Sequence, residues 1–159
     1  MEELIKKVEQ WSVKRGLNTA DPSKQRLKLW EEFGELNASM ARNDREGAID
    51  AIGDMLVVMI IYKQQLGYGS NDVFEPKQDN LDFLGRLEDS ALIDYVGYGI
   101  VQTRSYIQSI EQIVDNLTML AYRLNTNLKE CLAAAYDVIK DRRGKMVNGV
   151  FVKECDLNG

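Results

Sequence analysis

The chain has 159 residues, 45% of them hydrophobic and 28% charged, enough for one well-buried domain over 1–159. Its net charge of −5 argues against a nucleic-acid backbone or an anionic membrane surface as partner, and no apolar run approaches the ~18 residues of a membrane span. There is no histidine, which excludes His-dependent triads, the usual zinc sites and Glu-x-x-His di-iron sets, so a bound metal would need oxygen ligands, as Mg²⁺, Mn²⁺ or Ca²⁺ do. The two cysteines, Cys131 and Cys155, have no paired motif, and the N-terminus lacks the apolar core of a secretory signal. A cytoplasmic location is expected.

Leu4, Ile5, Val8 and Trp11 recur at helical spacing, which predicts an amphipathic helix over 2–15, stopped by Gly16. Asp21-Pro22 is a helix start, with Asp as N-cap and Pro at the first helical position, and this helix runs to about 42. Asn43-Asp44 breaks it, and Asp44 caps a third helix that ends near 66, before Gly67-Tyr68-Gly69. Residues 70–84 contain Pro76, show little periodicity and are expected to form an exposed, irregular loop. Helical periodicity returns over 85–124, with Gly97 and Gly99 as a kink or break. A last helix covers 128–141 after the turn Asn125-Thr126-Asn127, and in the tail, 144–159, Asn148-Gly149 signals a two-residue hairpin. The expected fold is all-α, a helical bundle of about five helices with a small C-terminal β-hairpin.

Acids interrupt the apolar pattern at two places. Glu32 and Glu35 lie three apart on the second helix, with Glu31 beside them and Lys28 a turn earlier. Asp50 and Asp54 lie four apart on the third, and Asp54 falls in Ala-Ile-Gly-Asp-Met-Leu-Val-Val-Met-Ile-Ile, apolar nearly all round. A carboxylate there is costly unless it is paired or binds a cation. Gly34 and Gly53 sit mid-helix beside these acids, at a cost of ~1 kcal/mol each relative to Ala, which a close approach of two backbones would justify. Two helices joined by a short loop pack antiparallel and could gather the pairs into one cluster, where Glu32, Glu35, Asp50 and Asp54 are the candidate ligands of a divalent metal. For the glutamates alone, ordinary surface charge is the alternative.

KLWEEFGEL (28–36) followed by DAIGDMLVVMI (50–60) resembles the MazG-like nucleotide pyrophosphohydrolases of the all-α NTP pyrophosphatase superfamily, whose mark is Glu-x-x-Glu on one helix and Glu-x-x-Asp on the next. The likeness extends through DPSKQRLKL (21–29) and AAAYDVIKDRRGKMVNGVFVKE (133–154), which is similar to small phage-type and bacterial members. Glu32, Glu35 and Asp54 match the motif, whereas Ala51 stands where the family has Glu; Asp50, one position earlier, is the candidate substitute. The resemblance implies Mg²⁺-dependent (Mn²⁺ possible) hydrolysis of a nucleoside triphosphate between its α- and β-phosphates, with Glu31, Glu32 or Glu35 orienting or deprotonating the attacking water. Lys28 and the basic end of the last helix (Lys140, Arg142, Arg143, Lys145) are candidates to hold phosphates, and the resemblance adds Asp141 and favours Arg143. For those C-terminal cations the alternative is a solvated complement to the helix dipole. Trp11, Trp30 and Tyr136 are candidate base contacts, though the two tryptophans suit the core better. A homodimer or homotetramer is also implied, and the apolar face from Ile107 to Ala121 is the candidate contact surface. Two other functions compete: a phosphoribosyl-ATP pyrophosphohydrolase-like activity, and a non-catalytic helical interaction protein in which Ala51 marks a lost site.

Overall fold

The computed structural model describes residues 1–147 and 150–154. Among them are seven α-helices: α1 (Glu2–Lys14), α2 (Pro22–Ala41), α3 (Arg45–Gln65), α4 (Gln78–Leu84), α5 (Asp89–Gln102), α6 (Ser109–Arg123) and α7 (Leu128–Ile139). Strands β1 (Gly144–Val147) and β2 (Val150–Lys153) pair antiparallel, with Met146 opposite Phe151 and Lys145 opposite Val152. The fold is therefore all-α with a small C-terminal pair of strands. Asn148-Gly149 and Cys155 lie outside the described residues. No described helix is long and apolar enough to cross a membrane.

Local signals set the first three helices. Gly16, at φ 68°, turns the chain out of α1. Asp21 caps α2 by accepting from the Ser23 N–H at 2.9 Å, and Asp44 caps α3 by accepting from the Gly47 N–H at 3.0 Å. The short link between α2 and α3 folds them back on each other, and far from the link Gln25 Nε2 still donates to the Val58 carbonyl at 3.3 Å. Helix α3 is the centre of the molecule, packed by α1, α2, α6 and α7. From Ala51 to Lys63 every residue is buried except Asp54. Lys63 is fully enclosed yet charged; its Nζ meets Glu9 Oε1 at 2.8 Å and also donates to Asn71.

Three expectations need correction. Residues 70–84 are not an irregular loop, since Val73 and Phe74 are buried and α4 follows. Asp115, itself buried, organises that segment by accepting from the Lys77 backbone N–H at 2.9 Å and from Asn80 Nδ2 at 2.6 Å. The stretch 85–124 is two helices, so the bundle has more members than the five expected, and its break lies at 103–108 rather than at Gly97 or Gly99. A Cβ on Gly99 would stand 2.6 Å from Ile113 Cγ1, so that glycine serves the α5–α6 approach. Finally, Ile110, Ile113, Val114, Leu117, Leu120 and Ala121 are wholly buried within the chain, so the α6 face is core and not a surface for another subunit.

The two mid-helix glycines beside the acids differ. A Cβ on Gly53 would lie 2.4 Å from the Cys131 carbonyl oxygen and 2.9 Å from Ala135 Cβ, so α3 and α7 touch backbone to backbone there. Gly34 has open space around it, and no close approach explains it. Gly53→Ala should therefore lower stability by about 1–3 kcal/mol through overpacking. Gly34→Ala should raise it by about 0.5–1 kcal/mol through helix propensity. Thermal melts followed by circular dichroism check both, with about 2–4 °C expected per kcal/mol at this size.

Candidate functional site

A cleft of ≈ 890 Å³ opens along α2 and α3 and is closed at one end by the turn after α7 and by β2. On α2 the lining residues Lys24, Lys28, Glu31, Glu32 and Glu35 recur every three or four positions, which makes them one polar stripe. Helix α3 contributes Asp54 from its otherwise buried length, and Arg142 enters from the turn beyond α7.

The charges do not balance. Lys28 Nζ bridges Glu31 at 2.9 Å and Glu32 at 2.8 Å, so this cation is shared between two carboxylates. Burial works against the Lys28 charge, but its bonds to Glu32 and Glu31 outweigh that and raise its pKa. Glu32 is only 4% exposed. Burial pushes its pKa up, Lys28 pulls it down, and the neighbouring Glu35 and Glu31 push it up again, with a net rise. Asp54 has no hydrogen-bond or ion-pair partner among the described residues. Burial first, then the charges of Glu32 and Asp50, push its carboxyl from 3.8 up to about 6, against weaker opposing pulls from Arg142 and Lys28. Such an oxygen-only, under-neutralised cluster fits a hard divalent cation such as Mg²⁺ in charge and donor type. Among the described residues, however, no three carboxylates already converge as a ligand set. Glu31, Glu35 and Asp50 are exposed and would have to turn inward to complete one.

The structure thus brings together Lys28, Glu31, Glu32, Glu35 and Asp54. Asp50 is off the cleft wall but close enough to act on Asp54. Of the candidate charged residues at the C-terminal side, Arg142 lines the cleft. Lys140, Asp141, Arg143 and Lys145 are exposed and do not line it, and Lys140 pairs with Asp137 at 2.7 Å. Trp30 packs edge-on against Phe33, with centroids 5.9 Å apart, and neither Trp30 nor Tyr136 lines the cleft. Trp11 does line it, buried, with its Nε1–H donating to the Ile139 carbonyl at 2.8 Å.

Sequence reasoning missed the cleft's apolar half: Leu17, Leu27, Val57, Val58, Ile61, Ile139, Phe151 and Val152. Leu27 carried a signal, because it is out of phase with the core positions Leu29 and Leu36 and is 66% exposed. Phe151 carried none, since its place depends on a chain reversal well over a hundred residues from α1.

A 66-residue segment, 41% of this chain, is 46% identical to an uncharacterized 18.2 kDa protein in the rep-hol intergenic region of Haemophilus phage HP1. That segment spans 40% of the phage protein, less than half its length. No family model matches the chain, and no solved structure matches it.

The Asp54 shift has a definite sign. A carboxyl raised on folding favours the protonated form, so its contribution to stability is full below pH 3.8 and is lost as pH rises towards about 6. In EDTA, Asp54→Asn should therefore raise the melting temperature at pH 8 and leave it nearly unchanged at pH 4. Adding Mg²⁺ at pH 8 should stabilise the wild-type protein and not the variant. Melting curves at the two pH values, with and without Mg²⁺, check this. Equal effects of the substitution at both pH values would exclude a raised Asp54.

Proposed function

We propose that this chain is a Mg²⁺-dependent nucleoside triphosphate pyrophosphohydrolase, cleaving between the α- and β-phosphates to release a monophosphate and pyrophosphate. The observation that carries the proposal is Asp54: a half-buried carboxylate with no hydrogen-bond or ion-pair partner among the described residues, opening into the cleft that also holds Glu31, Glu32 and Glu35. That placement accords with the motif resemblance of 28–36 and 50–60. Glu32, Glu35 and Asp54, joined by Asp50, would hold the metal. Bound there, Mg²⁺ supplies charge neutralisation at the phosphate oxygens.

The chain's own groups account for the rest of the step. Glu35, exposed at the cleft rim, would take a proton from water as the water oxygen bonds to one phosphorus of the α–β anhydride and the bridging oxygen leaves with the other fragment, giving monophosphate and pyrophosphate. Glu31 orients that water. Lys28 and Arg142, which line the cleft together with Lys24, would hold phosphate oxygens. No covalent nucleophile is required, in keeping with a site without histidine.

The buried Ala51 favours a second function, a non-catalytic helical protein. The two separate by product analysis. Incubation with Mg²⁺ and each of the eight common NTPs and dNTPs should give monophosphate plus pyrophosphate, abolished by EDTA and reduced about 10²–10⁴-fold in Glu35→Gln. Diphosphate plus phosphate would refute the bond assignment. No turnover of any nucleotide by folded protein would favour the non-catalytic function.

A further inference from the structure

The cleft has two chemically distinct ends. Beyond Asp54, helix α3 lines it with Val57, Val58 and Ile61, at steps of three, four and seven residues. Those residues share one face and form an apolar floor that ends about 10 Å along the helix from Asp54, at ~1.5 Å per residue. The far wall of this floor is the corner between α7 and the strands, where Ile139, Phe151 and Val152 face the cleft and Arg142 enters it. With a divalent cation held at the carboxylate end, as proposed above, a ligand that satisfies both ends is anionic at one end and uncharged, with a large apolar or aromatic surface, at the other. A nucleoside phosphate is such a ligand.

Helix α1 holds that corner in place. The last carbonyls of a helix lack partners of their own. Here the Trp11 indole N–H donates to the Ile139 carbonyl at 2.8 Å, while Arg15 Nη2 donates to the Arg142 carbonyl at 2.6 Å and the Lys140 carbonyl at 3.3 Å. The Arg15 guanidinium lies over the Trp11 ring at 4.5 Å and 5.9 Å from the Phe151 ring centroid, and Phe151 meets Trp11 edge-on at 6.1 Å. One face of Trp11 is thus covered and its N–H is used. Phe151, half-buried, is the ring of this group that keeps surface for a ligand.

We propose that the corner between α7 and β2 is the wall that receives the nucleoside end of the substrate, with Phe151 in contact with it and Arg15 as a positioning residue that sets Phe151 and Arg142. This rests on the nucleotide assignment above. It adds which residues hold which end of the substrate.

The test is calorimetric binding in Mg²⁺, with each of the four common deoxynucleoside monophosphates and inorganic pyrophosphate as probes. Phe151→Ala should weaken the best-bound monophosphate tenfold or more and leave pyrophosphate within twofold. Phe151→Leu, which keeps apolar bulk, should lose less than threefold. Arg15→Gln should weaken both probes several-fold, Arg15→Lys should restore part of the loss, and Arg142→Gln should weaken pyrophosphate without matching the Phe151 effect on the nucleoside end. Melting curves identify any variant that fails to fold, and the leucine and lysine variants then decide. Unchanged monophosphate affinity in folded Phe151→Ala, while the wild-type protein still cleaves dNTPs, overturns the wall and spares the activity. Absence of both monophosphate binding and dNTP turnover overturns the nucleotide assignment itself.

Discussion

Helix α3 buries two charges, and it deals with them differently. Lys63 is enclosed but satisfied, by Glu9 and Asn71 brought from α1 and from the segment after α3. Asp54, nine residues earlier and almost surrounded by apolar side chains, has no such partner among the described residues. A domain that can wrap Lys63 in an anion and an amide is able to supply counter-charge inside its core. At Asp54 the larger charge effects come instead from further carboxylates, Glu32 and Asp50, and the opposing pulls of Arg142 and Lys28 are weaker. Removing the partner from a buried pair usually costs several kcal/mol, so a half-buried acid facing more acids is a standing penalty on the fold. The rest of the site depends on that penalty, because anything bringing positive charge into the cleft relieves it.

The packing around α3 explains why the penalty is tolerated there. Gly53 lets α7 lie directly on α3, so one side of the helix at this level is backbone against backbone. The cleft lies on the flank of α3, about a quarter turn round from Gly53, between α2 and the end of α7. Lys28 offsets part of the charge but divides its attraction between Glu31 and Glu32, which leaves Glu35, exposed, and Asp54, half-buried, without an ion-pair partner among the described residues. The same contact with α7 delivers the helix end whose carbonyls Trp11 and Arg15 bind, and with it Arg142. The α3–α7 contact and the hydrogen bonds from Trp11 and Arg15 thus act together on the segment that carries Arg142 to the cleft.

Much of this was legible where the determinants are local. The caps Asp21 and Asp44 act within three residues, the all-apolar circumference of α3 shows in its composition, and the three- and four-residue spacings of the acids fix their shared faces. The misses depend on distant chain. The segment after α3 is ordered by Asp115, 38 residues from its Lys77 partner. The break at 103–108 is held where the Tyr62 hydroxyl donates to the Thr103 carbonyl at 3.0 Å, a contact spanning 41 residues that no periodicity displays. Among the C-terminal cations, helical spacing gave no reason to choose Arg142 over Arg143, because both lie past the last helical turn. Arg15, 127 residues away, binds the Arg142 carbonyl and so fixes the turn there.

Ala51 and Asp50, neighbours on α3, face different surroundings. Ala51 is buried at 2% exposure, in a part of the core with no room reserved for a carboxylate. Asp50 is exposed, and its charge still acts on Asp54 across one helical turn. Relative to a glutamate at 51, the acid has moved towards solvent and lost a methylene. A cation held partly by Asp50 would therefore sit nearer the rim, with more of its coordination left to water. Mg²⁺ suits that arrangement, because it gives up its own waters reluctantly and is commonly held by one or two carboxylates together with substrate phosphates. Under the proposed function, Glu32 and Asp54 would form the inner side of such a site, and the exposed Asp50 and Glu35, with substrate phosphates, its outer side.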